Sequence, residues 1–414
     1  MTIAIVNIGQ LVTVAGSGRP RLGRELADLG IVLNAAMLIA GGCVVAAGPH
    51  AEIKPQIPPG AKLIDAEGRC VTPGFVDAHT HMVFAGNRAD EFERRIAGAT
   101  YQQIAAAGGG ILRTVALTRA ASEDELLAAA RLHRDWMLRS GTTTAEAKSG
   151  YGLDLDSELR MLRVLARLRD EGPMRIHPTL LAAHALPPEF ASRRIEYIEW
   201  ITREFIPAAA NARLARDCDV FCDDHAFTVE ECRAVLLAAR AHGLRLRIHA
   251  DQFRPGTGAA LAAELRAATA DHLEAIAEDD IPRLAAAGVQ PVLLPGSVFA
   301  LRRTQYPPAR AMIDAGLALV LATDFNPGSS PIAAMPFVLS LACLQMGLTP
   351  AESLTAATVN AAHSLGLGAQ LGSLEPGKQA DFLLHEFTDY RELAYFIAAA
   401  ARPRVFIAGR ECTP

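Results

Sequence analysis

The chain has 414 residues, 50% of them apolar, which excludes a disordered or fibrous protein and leaves enough chain for a large core with an appendage. Its 40 basic and 45 acidic residues give a net charge of -5 without a long run of either sign, so no polyanion-binding surface is encoded and nucleic acid is not an expected partner. The seven cysteines, Cys43, Cys70, Cys218, Cys222, Cys232, Cys343 and Cys412, are scattered and show no C-x-x-C pair, which suits a reducing cytoplasm.

The amino-terminal run MTIAIVNIGQ reads as a strand and lacks the basic region and long apolar stretch of a secretory signal. Residues 31–48 are apolar enough to raise a membrane helix, but Asn34 and a Gly41-Gly42 turn cut them into runs too short to span. A β-hairpin is expected there, and no membrane partner. Short β-rich runs fill residues 2–64, and the same texture returns over residues 372–413. The two chain ends, 1–65 and 372–414, are therefore expected to form one small, discontinuous β-sandwich domain.

Between them, residues 66–371 alternate strand-like and helical runs. Strands are expected at 70–76, 143–147, 175–181, 220–223, 244–249, 269–272, 289–294 and 318–323. Helices are expected at 123–138, 156–168, 229–241 and 280–287, where apolar residues recur at three- and four-residue spacing. The run around Val220 and Phe221 brackets Cys218 and Cys222, whose thiols are expected to be buried. Eight strands is the number a closed parallel (β/α)8 barrel needs. An open doubly wound sheet would show the same alternation, and the polar residues at the strand ends decide for the barrel.

The strongest local signal is Thr72-Pro73-Gly74-Phe75-Val76-Asp77-Ala78-His79-Thr80-His81. Residues two apart in a strand point to the same side, so His79 and His81 can offer two imidazoles to one ion. An H-x-H pair alone means little, but His249, His272 and Asp324 stand at the ends of three further expected strands. All would meet at one rim of a barrel, where catalytic residues of this fold gather. We assign His79, His81, His249 and Asp324 to a metal, Asp324 also to proton transfer, and His272 to polarising a carbonyl. The expected chemistry is hydrolysis of a C–N bond by metal-activated water.

Longer motifs narrow this. His79-Thr80-His81-Met82-Val83-Phe84-Ala85-Gly86-Asn87-Arg88, the Gly108-Gly109-Gly110-Ile111 turn, Lys148-Ser149-Gly150-Tyr151-Gly152-Leu153 and Thr323-Asp324-Phe325-Asn326-Pro327-Gly328-Ser329-Ser330-Pro331 resemble the imidazolonepropionase family of the amidohydrolase superfamily, and the likeness runs over nearly the whole chain. The resemblance implies one zinc or iron ion per subunit and the substrate 4-imidazolone-5-propanoate. It implies a single metal because the expected fourth strand ends in Cys222-Asp223-Asp224-His225, without the lysine that bridges two metals in binuclear relatives. Lys148, placed after strand two, reads as a structural or substrate-side amine.

Arg88 has the planar fork suited to the propionate tail. Tyr151, His184, Asn326, Gly328 and Ser329 resemble the family's other substrate contacts. Gln252 stands where some members carry glutamate; an amide can orient a substrate but cannot take a proton. The competing readings are a deaminase or another cyclic amidohydrolase of the same superfamily, and a catalytically silent barrel that binds or assembles. A homodimer is expected from base rates, with residues 393–401 as a candidate contact.

Overall fold

The computed structural model describes residues 2–16, 18–99, 103, 108–223, 226–397 and 402–412. Strand β1 (Thr2–Val12) pairs antiparallel with β2 (Ile31–Ala40), which turns into β3 (Cys43–Pro49). The expected hairpin is present: Ala40 pairs with Cys43 across Gly41 and Gly42, whose φ values of 60° and 83° are those of a primed turn. β1 bulges between Ile5 and Ile8, at Asn7 with φ 52°. Before the bulge it pairs in parallel with β4 (Lys62–Asp65), after it with β5 (Cys70–Pro73), so one strand serves two neighbours on one edge.

The run 70–76, expected to be the barrel's first strand, is two strands in different sheets. β5 stays with the chain-end sheet, and β6 (Phe75–Asp77) opens the barrel. The change falls at Gly74. A Cβ there would lie 2.4 Å from Thr143 Cγ2, and the Gly74 amide donates back to Asp381 O at 3.0 Å. Only a residue without a side chain lets the strand cross so close to its neighbour.

From β6 the barrel runs through β7 (Thr142–Lys148), β8 (Arg175–Ala183), β9 (Asp217–Cys222), β10 (Arg245–Ala250), β11 (Thr269–His272), β12 (Gln290–Leu293) and β13 (Val320–Leu321), each parallel to the last. Helices Glu123–Arg139, Leu155–Glu171, Val229–Ala241 and Asp280–Ala287 fall where expected. The first is capped by Ser122, whose hydroxyl accepts from the Glu125 amide, and turns Leu126, Leu127, Ala130 and Met137 into the core.

β13 is only two residues long, and the ring is joined beyond it. Thr323 donates through N and Oγ1 to the Asp77 carboxylate at 3.0 and 2.6 Å, Asp324 N donates to His79 O at 3.0 Å, and His81 N to Phe325 O at 2.9 Å. Those bonds tie last strand to first, which a doubly wound sheet, with two open edges, could not do.

β14 (Phe382–Leu384), β15 (Arg404–Ile407) and β16 (Arg410–Cys412) then return to the chain-end sheet, β14 lying antiparallel to β5. The sheet encloses its own core of Ile5, Ile8, Met37, Val71, Phe382 and Phe406, the last two stacked with ring centroids 4.3 Å apart. Cys218 and Cys222 are buried, as expected, and all seven cysteines are free thiols. No helix among the described residues is long and apolar enough to cross a membrane.

Candidate metal centre and active site

The strand ends of β6, β10, β11 and β13 bring His79, His81, His249, His272 and Asp324 together. His79 lies closest to His249, with ring centroids 4.5 Å apart; His79 to His81, His249 to His272 and His79 to His272 are 5.3, 5.4 and 5.8 Å. His79 Nε2 and His81 Nε2 are each 3.5 Å from Asp324 Oδ1. The ligand atoms of His79, His81 and Asp324 all lie within 4.8 Å of one another, and so do those of His79, His249 and His272. His272, expected to stand outside the metal ligands, is therefore as close to the shared space as the histidines assigned to it.

A metal ion suits this donor set. His79 Nε2 and His249 Nε2 are buried without a hydrogen-bond partner, a costly state for an imidazole nitrogen unless something fills it. Burial drives His79 and His81 well below the ordinary imidazole range and His249 to about 4, the last against the pull of Asp219, so the rings are neutral donors at pH 7. His79 Nδ1 is hydrogen-bonded to Asp271 Oδ2 at 2.6 Å, which leaves its Nε2 toward Asp324, and His249 Nδ1 lies 3.1 Å from Asp219 Oδ2 without hydrogen-bond geometry.

Burial pushes Asp324 up to about 7, opposed by His272. Burial also disfavours a charged His272, but Glu274, with Oε1 3.2 Å from its Nδ1, and Asp324 outweigh it and raise the ring. The backbone is left-handed at His272 (φ 81°), Leu273 (67°) and Asp324 (53°), conformations that non-glycine residues adopt at a cost and that gather at functional sites.

His184 follows β8, donates through Nδ1 to Gly150 O at 2.9 Å, and stacks on His81 at 5.1 Å; Tyr151 packs 5.3 Å from His184. Asn326 Oδ1 accepts from the amides of Gly328 and Ser329 at 2.8 and 2.7 Å, shaping the loop after Asp324, and Ser329 Oγ lies 3.5 Å from Asp324 Oδ2. Arg88 reaches this loop: Nε donates to Pro327 O at 3.4 Å, and Nη1 is 3.9 Å from Glu91 Oε2. Gln252, three residues past His249, is buried, its backbone carbonyl accepting from Arg303 at 2.9 Å.

Lys148 is the last residue of β7, not a residue beyond it, and is fully buried, with Nζ 2.9 Å from Glu146 Oε1 and 2.8 Å from Asp219 Oδ2. The sequence reading gave no role to Asp219, Asp271 or Glu274. Asp271 and Glu274 flank His272 in the chain, but only the fold reveals which rings these carboxylates face. Of the residues expected to close the fourth strand, Asp224 and His225 lie outside the described residues.

The amidohydrolase family model matches residues 70–412. Among solved structures, an adenosine deaminase from Xanthomonas campestris with bound zinc superposes with a TM-score of 0.72 at 20% identity, covering 99% of this chain and 92% of that one. Escherichia coli guanine deaminase gives 0.69 at 18% identity, over 100% and 99%. Fold and rim thus define an amidohydrolase, a metal-dependent hydrolase of C–N bonds. The imidazolonepropionase of Solibacter usitatus is 55% identical over 98% of this chain and 97% of its own length. Those of Geobacillus kaustophilus and Symbiobacterium thermophilum are 45% and 44% identical, over 97% and 99% of this chain and 95% and 96% of theirs. The chain belongs to the imidazolonepropionase family of the amidohydrolases.

Proposed function

We propose that the chain hydrolyses 4-imidazolone-5-propanoate to N-formimino-L-glutamate, the ring-opening step of histidine degradation. One observation carries the reading: the guanidinium of Arg88, a carboxylate receptor, is seated on the same loop that presents Asp324 to the imidazole cluster. A substrate with a cyclic amide and a carboxylate tail meets both.

His79, His81, His249 and Asp324 would hold one ion, and three nitrogens with one oxygen suit zinc or iron. The bound ion supplies Lewis acidity that lowers the pKa of a water from ~15.7 to around 7. Asp324 takes the proton of the attacking water and returns it to the departing ring nitrogen, so hydroxyl ends on the carbonyl carbon and hydrogen on nitrogen. His272, backed by Glu274, donates to the carbonyl oxygen as negative charge grows there. Arg88 fixes the propionate. Tyr151, His184, Gln252, Asn326, Gly328 and Ser329 line the space for the ring and the opened product.

The test is loss of imidazolone absorbance with appearance of N-formimino-glutamate, run beside an assay for ammonia from nucleobases. Ammonia without ring opening would favour a deaminase, and no turnover in metal-loaded protein would favour a silent barrel. Asp324→Asn should lower kcat by about 10²- to 10⁴-fold, and an unchanged kcat would remove Asp324 as the proton carrier. Exhaustive chelation should abolish turnover, and zinc or iron should restore it. Exposed Leu344, Tyr395 and Phe396, around the helix Met335–Met346, support a homodimer, to be read by sedimentation; residues 398–401 of the expected contact lie outside the described residues.

A further inference from the structure

The barrel beneath the imidazoles is filled with charge. Glu146 and Lys148, two apart on β7, point to the same inner side. With Asp217 and Asp219 of β9, Arg247 of β10 and Asp271 of β11 they make six ionisable side chains with no exposed surface. Four carboxylates against two cations is an arrangement that burial opposes unless each group is closely paired.

Lys148 Nζ lies 2.9 Å from Glu146 Oε1, 2.8 Å from Asp219 Oδ2 and 3.9 Å from Asp271 Oδ2. The last two atoms are the oxygens that face His249 Nδ1 at 3.1 Å and His79 Nδ1 at 2.6 Å. The ammonium therefore sits behind two of the proposed metal ligands, sharing one oxygen atom with each. Arg247 is occupied differently, with Nη2 donating to Ala78 O at 2.8 Å and lying 3.6 Å from Asp271, and Nη1 3.4 Å from Asp217. Lys148 is the cation beside Asp219 Oδ2. A carbamate on Nζ would set new negative oxygens against Glu146 and Asp219, so the contacts require the free ammonium.

We propose that Lys148 is a positioning residue of the metal centre: it holds the Asp219 oxygen that backs the Nδ1 side of His249, leaving Nε2 of that ring facing the ion. This rests on reading His249 as a metal ligand. Without Nζ, Asp219 loses the partner that keeps Oδ2 beneath His249, and the ring is free to turn its lone pair away. Loss of a partner behind a ligating histidine weakens metal binding by roughly 10- to 100-fold.

The test is zinc affinity, measured by competition with a chromophoric chelator on full-length metal-free protein, for wild type, Lys148→Met, Asp219→Asn and the double variant. Circular dichroism and thermal melting of the metal-free forms establish that each is folded. Both single variants should bind zinc at least about tenfold more weakly, and the double variant no more weakly than the poorer single, because the two residues act on one ring. In ¹⁵N spectra of the metal-free protein, the Nδ1–H form of His249 should give way to a tautomer mixture in both, a change that loss of stability alone would not produce. A folded Lys148→Met that binds zinc as tightly as wild type or more so, or losses that multiply in the double variant, overturns the proposal. Should Lys148→Met not fold, Asp219→Asn decides: unchanged affinity and tautomer overturn it. Wild type that binds zinc but fails to open the imidazolone sinks the proposed function and leaves this inference standing, whereas turnover by wild type with unaltered affinity in the variants sinks this inference alone.

Discussion

Arg88 Nη2 occupies the space where a side chain on residue 328 would begin: a Cβ built on Gly328 would fall 1.2 Å from it. The glycine thus makes room for the proposed carboxylate receptor through the atom it lacks. Arg88→Ala should raise KM for the imidazolone propionate by roughly 10- to 100-fold, the equivalent of ~1.5–3 kcal/mol for a charged hydrogen bond, and leave KM for an analogue without the tail nearly unchanged. Gly328→Ala should produce the same selective rise by displacing the guanidinium, and should add nothing in an Arg88→Ala background. Additive effects would separate the two residues. At this scale much was legible in the sequence, because a ligand at a strand end must be one of a few residue types at a fixed place: His79, His81, His249, His272 and Asp324 all reach one cluster. Lys148 was visible but misplaced, since its partners Asp219 and Asp271 lie on strands far away in the chain and only the barrel brings them beneath it.

Individual elements show the same division. Helix Glu123–Arg139 begins at the capping box of Ser122 and Glu125, and Val229–Ala241 begins at that of Thr228 and Glu231, local signals that any reader of the sequence can see. The break at Gly74 carries a local mark, the Pro73-Gly74 pair inside residues 70–76, but the steric reason for dividing the run there is Thr143, on another strand. The short β13 is also hidden, because two of the bonds that close the ring go to the Asp77 side chain, far back in the chain. Thr323 Oγ1 donates at 2.6 Å to Asp77, a carboxyl that burial pushes to about 7. Thr323→Val should cost about 1–3 kcal/mol of stability by leaving that oxygen unsatisfied, read as a lower urea midpoint with an unchanged slope. No loss of stability would mean that the backbone bonds of Asp324 and His81 are enough to close the ring.

For the whole molecule, the chain-end sheet and the barrel are fastened at a few buried polar points. Arg175 of β8 pairs with Asp381 just before β14, and within the chain-end sheet itself His385 Nε2 lies 2.9 Å from Thr72 Oγ1 of β5. Burial drives His385 down to about 3, so the folded chain keeps it neutral where the unfolded chain, titrating near 6.5, takes up a proton. The unfolded state binds the extra proton between those values. Stability from this group is complete above about pH 6.5 and is lost as pH falls toward 3. His385→Gln should flatten that limb. Unfolding free energies in urea at about pH 7 and about pH 5 should differ less in the variant than in wild type, and an equal difference would clear His385 of the effect.

The join between first and last strands has a consequence for synthesis. His79 and His81 leave the ribosome early, but the carboxylate beside them belongs to residue 324, and it arrives only when the chain folds back so that its amide reaches His79 O. A nascent chain stopped short of that point has two rings and an incomplete cage. With the proposed ligands, capture of the ion would be a late event in the life of each polypeptide, and a firmly held metal would certify that the circle has been closed.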